Sequence, residues 1–212
     1  MTTAQQYFEA LMDGNREMVT TYIGNDLNEG VPPIEILNTG LIPAMERVGQ
    51  KFRAAEIYIP EVLMAARAMH AGLDLLRPKI AETGAKPAGK IVIGTVKGDL
   101  HDIGKNLVAM MFEGLGFQVI DIGVDVPTEK FEEAIKAHKP DIVALSSLLT
   151  TTMLEMKNTI HLLKKMGVLD NVKTIVGGAP VTQEFAEEIG ADAYGKDAVS
   201  GAEKAKELLG MT

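Results

Sequence analysis

His101 lies between two carboxylates on a segment bounded by glycines, Gly98-Asp99-Leu100-His101-Asp102-Ile103-Gly104. An Asp two residues before a His on an irregular loop can accept a hydrogen bond from one ring nitrogen, which leaves the other nitrogen directed outward as a metal ligand. Imidazole suits cobalt as it suits other borderline metals. The same Asp-x-His is also common on ordinary surface loops. Gly98 and Gly104 would let the backbone come close to a bulky ligand. A second segment, Ser146-Ser147-Leu148-Leu149-Thr150-Thr151-Thr152, carries five hydroxyls within seven residues. A third, Gly177-Gly178-Ala179-Pro180, reads either as an ordinary strand-to-helix turn or as a stretch cleared of side chains so that a flat ligand tail can lie on a sheet.

Other chemistry is removed by composition. The chain has no cysteine, so disulfides, thiolate metal sites and a cysteine nucleophile are absent together. His70, His138 and His161 fall on helical stretches away from His101, and without a second nearby ligand a closed zinc site cannot form. The 29 acidic residues outnumber 21 basic ones for a net charge of −8, which argues against a nucleic-acid partner. The N-terminus lacks a basic region followed by an apolar run, and no apolar stretch approaches the ~18 residues of a membrane span. A cytoplasmic protein with no membrane contact is expected.

The elements that would position these residues divide the chain in two. From Thr3 to about Thr83 the apolar residues recur at helical spacing. Tyr7, Phe8, Leu11 and Met12 fit one helix, and Met18, Val19, Tyr22, Ile23 and Leu27 fit a second. Pro32 and Pro33 open a third through Ile36, Leu37, Leu41, Met45, Val48 and Phe52. Pro60 opens a fourth through Val62, Leu63, Ala66, Met69, Leu73 and Leu76. Residues 82–89 are small, polar and broken by Gly and Pro, as expected of a linker. Beyond them Ile91-Val92-Ile93, Gln118-Val119-Ile120, Ile142-Val143-Ala144-Leu145 and Thr174-Ile175-Val176 are short β-branched runs, each followed by a helical stretch, with a fifth strand near Ala193-Tyr194. The expected class is α plus α/β. A four-helix bundle over residues 1–86 precedes a flavodoxin-like (Rossmann-type), doubly wound, five-stranded parallel sheet over 87–212. With strand order 2-1-3-4-5, ligands bind where strands one and three diverge, and the His101 and hydroxyl segments leave those two strands.

These residues resemble a known family. Gly98-Asp99-Leu100-His101-Asp102-Ile103-Gly104 fits the D-x-H-x-x-G signature of cobalamin-binding domains. Ser146-x-Leu148 with Thr150 and Thr152 is similar to the family's hydroxyl segment, and Gly177-Gly178 to its Gly-Gly turn. Gly40-Leu41-Ile42-Pro43-Ala44-Met45, Val48-Gly49-x-x-Phe52 and Tyr58-Ile59-Pro60-Glu61 resemble the helical cap that precedes the cobalamin domain in methionine synthase and in the small corrinoid proteins of methyltransferase systems. The resemblance implies a corrinoid, cobalamin or a related cobamide, whose nucleotide tail is buried in the sheet domain. By the same resemblance His101 would take the lower axial position on cobalt. Asp99 would orient His101, and Thr152 would continue the relay where methionine synthase has serine. Ser146 and Thr150 would contact the tail, while Gly177 and Gly178 would leave room for it. Gly98, Asp102, Ile103, Gly104 and Leu148 would complete the cofactor-binding set. Met45, Met64 and Met69 suit either an adaptable lid or simple core packing.

The implied function is a methyl carrier, a non-catalytic corrinoid subunit of a multi-component system. It would shuttle a methyl group on cobalt from a substrate-specific methyltransferase to an acceptor methyltransferase acting on tetrahydrofolate or a thiol, with a reductive activase as a further partner. Methoxylated aromatics stand slightly ahead of methylamines as donors, on overall likeness. Two other classes stay open. A cobalamin-dependent sensor is disfavoured by the acidic charge and the lack of a DNA-binding module. A flavodoxin-like signalling domain with an Asp phosphoacceptor leaves the helical half and His101 unexplained.

Overall fold

The structure, a computed structural model, describes residues 1–83 and 87–211. The chain divides into two compact units, Met1–Ala88 with Glu113–Gly116, and Gly89–Phe112 with Phe117–Thr212. The sequence-based boundary between residues 86 and 87 and the centre of the 82–89 linker fall at residues 84–86, outside the described residues.

In the helical unit α1 (Ala4–Met12) starts from a capping box, in which the Thr3 side chain accepts from the Gln6 N–H and Gln6 reaches back to the Thr3 N–H. α2 (Arg16–Asn28) is capped by Asn15, whose side chain accepts from the Met18 N–H. The third expected helix is not uniform. A short α3 (Pro33–Glu35) passes into a π-helical segment (Ile36–Leu41) and then into α4 (Ile42–Arg53). Pro43 gives a physical reason. It has no N–H to donate, and its ring would crowd the Thr39 carbonyl four residues back. The wider turn just before it, with the Ile42 N–H bonded to the Leu37 carbonyl, relieves that crowding. α5 (Ile59–Glu82) carries Pro60 in its first turn, as expected.

Tyr7 lies at the centre of this unit, fully buried, and its hydroxyl donates to Asp26 Oδ2 at 3.0 Å. Its ring fills the space at Gly40, where an added Cβ would fall 2.8 Å from Tyr7 Cε2. Met45 and Met69 are buried, and Met64 is 45% exposed.

The second unit is a five-stranded parallel sheet of β1 (Lys90–Thr95), β2 (Gln118–Asp121), β3 (Ile142–Ser146), β4 (Lys173–Gly177) and β5 (Ala193–Gly195), in the order β2-β1-β3-β4-β5. Its helices are α6 (Ile103–Gly114), α7 (Thr128–His138), α8 (Met153–Lys165), α9 (Gln183–Glu188) and α10 (Ala198–Leu208). Val92, Val143 and Val176 pack against Phe131 of α7, Met156 and Ile160 of α8 and Ala186 of α9. Ile91, Ile93, Ala144 and Ile175 point to the opposite face and are buried too. Burial on both faces explains why the strands read as unbroken apolar runs rather than alternating ones. Each of the buried Val, Ile, Phe and Met side chains contributes about 1.5–3 kcal/mol. Gly167, Gly190 and Gly210 stop α8, α9 and α10 at positive φ. Among the described residues no helix is long and apolar enough to cross a membrane.

The register places the strand ends in one row. Thr95 pairs with Ser146, Ser146 with Gly177 and Gly177 with Gly195. The segments that leave β1, β3 and β4 therefore start side by side on the carboxyl edge, with the strand order reversing between β1 and β3.

Candidate cofactor site

The chain leaves β1 through a tight turn in which the Asp99 N–H donates to the Val96 carbonyl at 3.2 Å, with Gly98 at φ +80°. That third turn position needs positive φ, so glycine is required there. The turn sends the Asp99 side chain inward, where it is fully buried. Five donors meet its carboxylate. Oδ1 accepts from the His101 N–H at 3.0 Å and from His101 Nδ1 at 2.7 Å. Oδ2 accepts from the Leu148 N–H at 2.8 Å, from Thr152 Oγ1 at 2.7 Å and from Ser147 Oγ at 3.3 Å. Burial alone would push the Asp99 carboxyl up. The N–H of Leu148, the Thr152 hydroxyl and the two His101 donors outweigh it and hold the group well below the usual carboxylate range.

An ionised Asp99 fixes the state of its partners. It can only accept, so the neutral His101 ring carries its proton on Nδ1 and turns the lone pair to Nε2. Among the described residues Nε2 has no protein partner, and the ring is half exposed. The Thr152 proton is likewise taken by the carboxylate. Ser147 Oγ lies 2.8 Å from Thr152 Oγ1 and 3.3 Å from Asp99 Oδ2, within reach of donating its proton to either. A relay of Ser147, Thr152, Asp99 and His101 results, and the first three of these side chains are buried. The His101 main chain is held as well, its carbonyl accepting from the hydroxyl of the fully buried Thr95 at 2.8 Å.

The structure thus brings Asp99, His101, Thr152 and the Leu148 main chain together. Other expected residues stand apart from this network. Ser146 is half-buried at the end of β3, and Thr150 is exposed. Asp102 is exposed and bonds Asn106 one turn into α6. Gly177 and Gly178 meet protein backbone: an added Cβ would fall 2.8 Å from the Gly195 carbonyl oxygen and 1.8 Å from that of Ser147. The packing of the chain by itself requires both glycines. Gly104 differs, because a Cβ there would meet nothing within 4 Å.

Sequence reading missed Ser147 and Thr95. Ser147 belonged to a crowd of hydroxyls whose inward member depends on the loop path. Thr95 did leave a signal, a lone hydroxyl closing the apolar strand Ile91-Val92-Ile93-Gly94-Thr95.

The donor set fits a metal that arrives already held in a macrocycle. Among the described residues no group of three or more His, Asp or Glu could hold a free ion, so one imidazole can complete a coordination sphere but not build one. Leu100, Ile103, Leu148, Leu149 and Leu154, on or beside the same loops, are 42–72% exposed, or 74% for Ile103. Such an apolar rim suits a broad, flat ligand.

Comparison with known proteins agrees with this geometry. Two family profiles, both described as B12 binding domain, match residues 89–203 and 3–77. The trimethylamine corrinoid protein of Methanosarcina barkeri is 42% identical over 205 residues, covering 96% of this chain and 94% of its own. A cobalamin-binding protein from Desulfitobacterium hafniense superposes with a TM-score of 0.82 at 30% identity, covering 98% of this chain and 99% of that one. A chain in the crystal structure of the methanol:cobalamin methyltransferase complex from Methanosarcina barkeri gives a TM-score of 0.84 at 28% identity, with 99% and 80% covered. With the profile spanning more than half of its residues and relatives matched almost end to end, the chain belongs to the B12-binding corrinoid proteins that serve methyltransferases.

Proposed function

We propose that this protein is a methyl carrier in which His101 Nε2 would hold the cobalt of a bound corrinoid, and that it receives methyl groups from a separate methylamine-specific methyltransferase. The observation that carries the reading is the fully buried Asp99 carboxylate, which fixes the His101 proton on Nδ1 and leaves Nε2 free on a half-exposed ring. When bound, the corrinoid supplies a cobalt centre able to take up and release a methyl group. The protein's own residues do the rest. Asp99 holds the imidazole in one tautomer and raises its basicity as a ligand. Thr152 and Ser147 keep Asp99 charged, and the exposed Leu100, Ile103 and Leu148 would offer a bound corrinoid an apolar rim beside the ring. A donor other than methoxylated aromatics is favoured by the 42% identical trimethylamine corrinoid protein. An acceptor methyltransferase and a reductive activase complete the proposed cycle.

Nothing else in the described structure would position an amine or protonate its leaving group, and positioning alone is worth about 7 kcal/mol or more of barrier in good cases. The protein alone should therefore be inert. The test incubates reduced, corrinoid-loaded protein with isotope-labelled trimethylamine and follows label retained on the protein. Label should appear only when a trimethylamine methyltransferase is added. Rapid labelling without any second protein would make this chain the enzyme and end the carrier reading.

A further inference from the structure

The loop between β2 and α7 touches the His101 loop through one residue with an unusual backbone. Asp125 sits at φ +52°, in the left-handed region, flanked by two valines. Asp and Asn tolerate that region better than other residues with a Cβ, but it is still disfavoured for them. From this conformation Asp125 makes two hydrogen bonds to the segment that carries Asp99. Its Oδ1 accepts from the Gly98 N–H at 2.7 Å, and its own N–H donates to the Asp99 carbonyl at 2.9 Å. The Asp99 N–H is taken by the Val96 carbonyl at 3.2 Å. The main chain at Asp99 is therefore held on both sides, and it is this backbone that aims the carboxylate at His101 Nδ1. The neighbouring Val126 anchors the clamp, its N–H donating to the Thr95 carbonyl at 3.0 Å with the side chain buried in the sheet core.

We infer that Asp125 is a positioning residue: acting through the Gly98–Asp99 backbone, it sets the direction from which Asp99 meets the His101 ring. That this serves cobalt ligation rests on the function proposed above; the clamp itself does not. A strained backbone kept at one exposed loop position is understandable if a regular turn there would withdraw both bonds.

Two substitutions separate the parts. Asp125→Gly keeps the left-handed backbone without strain and removes only the carboxylate. Asp125→Asn keeps an acceptor at the same place and tolerates the same φ. The readout is the tautomer of His101 by nitrogen-15 NMR of the cofactor-free protein, with hydrogen exchange of the Gly98 N–H as a second measurement. Wild type and Asp125→Asn should show the Nδ1–H tautomer and a protected Gly98 N–H. In Asp125→Gly the Gly98 N–H should exchange faster, and the tautomer preference should fall on the order of tenfold, as expected for loss of a hydrogen bond to a charged group. Corrinoid affinity should fall in parallel. An Asp125→Gly protein with wild-type tautomer and exchange would overturn the clamp, as would an Asp125→Asn protein that behaves like the glycine variant. If the tautomer responds but corrinoid affinity is unchanged in both Asp125→Gly and His101→Ala, the clamp stands and the cobalt role fails.

Discussion

At the residue scale the site is one buried charge and the donors that keep it charged. Thr152 contributes the shortest hydroxyl bond to it, so Thr152→Val, which keeps the shape and removes the donor, should cost about 1–3 kcal/mol. The sign with pH follows from the depressed Asp99 carboxyl. Its stabilisation is complete above the ordinary value of about 3.9 and is lost as pH falls through the lower folded value. Removing Thr152 raises that folded value, so the acid-unfolding midpoint should move to higher pH. Thr152→Ser should stay close to wild type, and acid and urea unfolding of the three proteins would measure both effects. Equal acid midpoints in all three would separate Thr152 from Asp99. Asp99 and His101 were legible in the sequence, because Asp-x-His between glycines has a direct chemical meaning. Ser147 was not, since adjacent serines look alike until the path of the loop decides which hydroxyl turns inward.

At the scale of elements, the two kinds of glycine in the site loops have different causes. Gly178, at φ +133°, has the Ser147 carbonyl where a Cβ would go, 1.8 Å away. Gly178→Ala should displace the β3–α8 segment and cost more than about 4 kcal/mol, or prevent recovery of folded protein. Gly104 faces open space in the first turn of α6. Gly104→Ala should stabilise the cofactor-free protein by up to about 1 kcal/mol through helix propensity, yet weaken corrinoid binding if the ligand lies against it. Thermal unfolding without cofactor, paired with corrinoid titration, checks both; unaltered affinity in Gly104→Ala would place the ligand elsewhere. Strand order and strand ends were readable because β-branched runs alternate with helices and the parallel sheet allows few topologies. The π-helical turn at Ile36–Leu41 was not, because the apolar residues of that stretch keep a helical spacing and only Pro43, further on, reveals the change of pitch.

At the scale of the whole molecule, the chain forms a helical unit, which also takes in Glu113–Gly116, and a parallel-sheet unit. The functional class came from the resemblance of the site loops and the helical half to cobalamin-binding proteins, and the place of the loop motif at the strand-order reversal agrees with it. In the proposed reading the imidazole of His101 would hold the cobalt in place of the base carried by the cofactor. Electron paramagnetic resonance of the Co(II) state tests this directly, because the nitrogen on the axial position splits each cobalt line. Protein labelled uniformly with nitrogen-15 and loaded with unlabelled corrinoid should give doublets, which collapse in His101→Ala. Triplets from nitrogen-14 in the labelled wild-type protein would mean that the cofactor's own base remains on cobalt, and would contradict the assignment of His101.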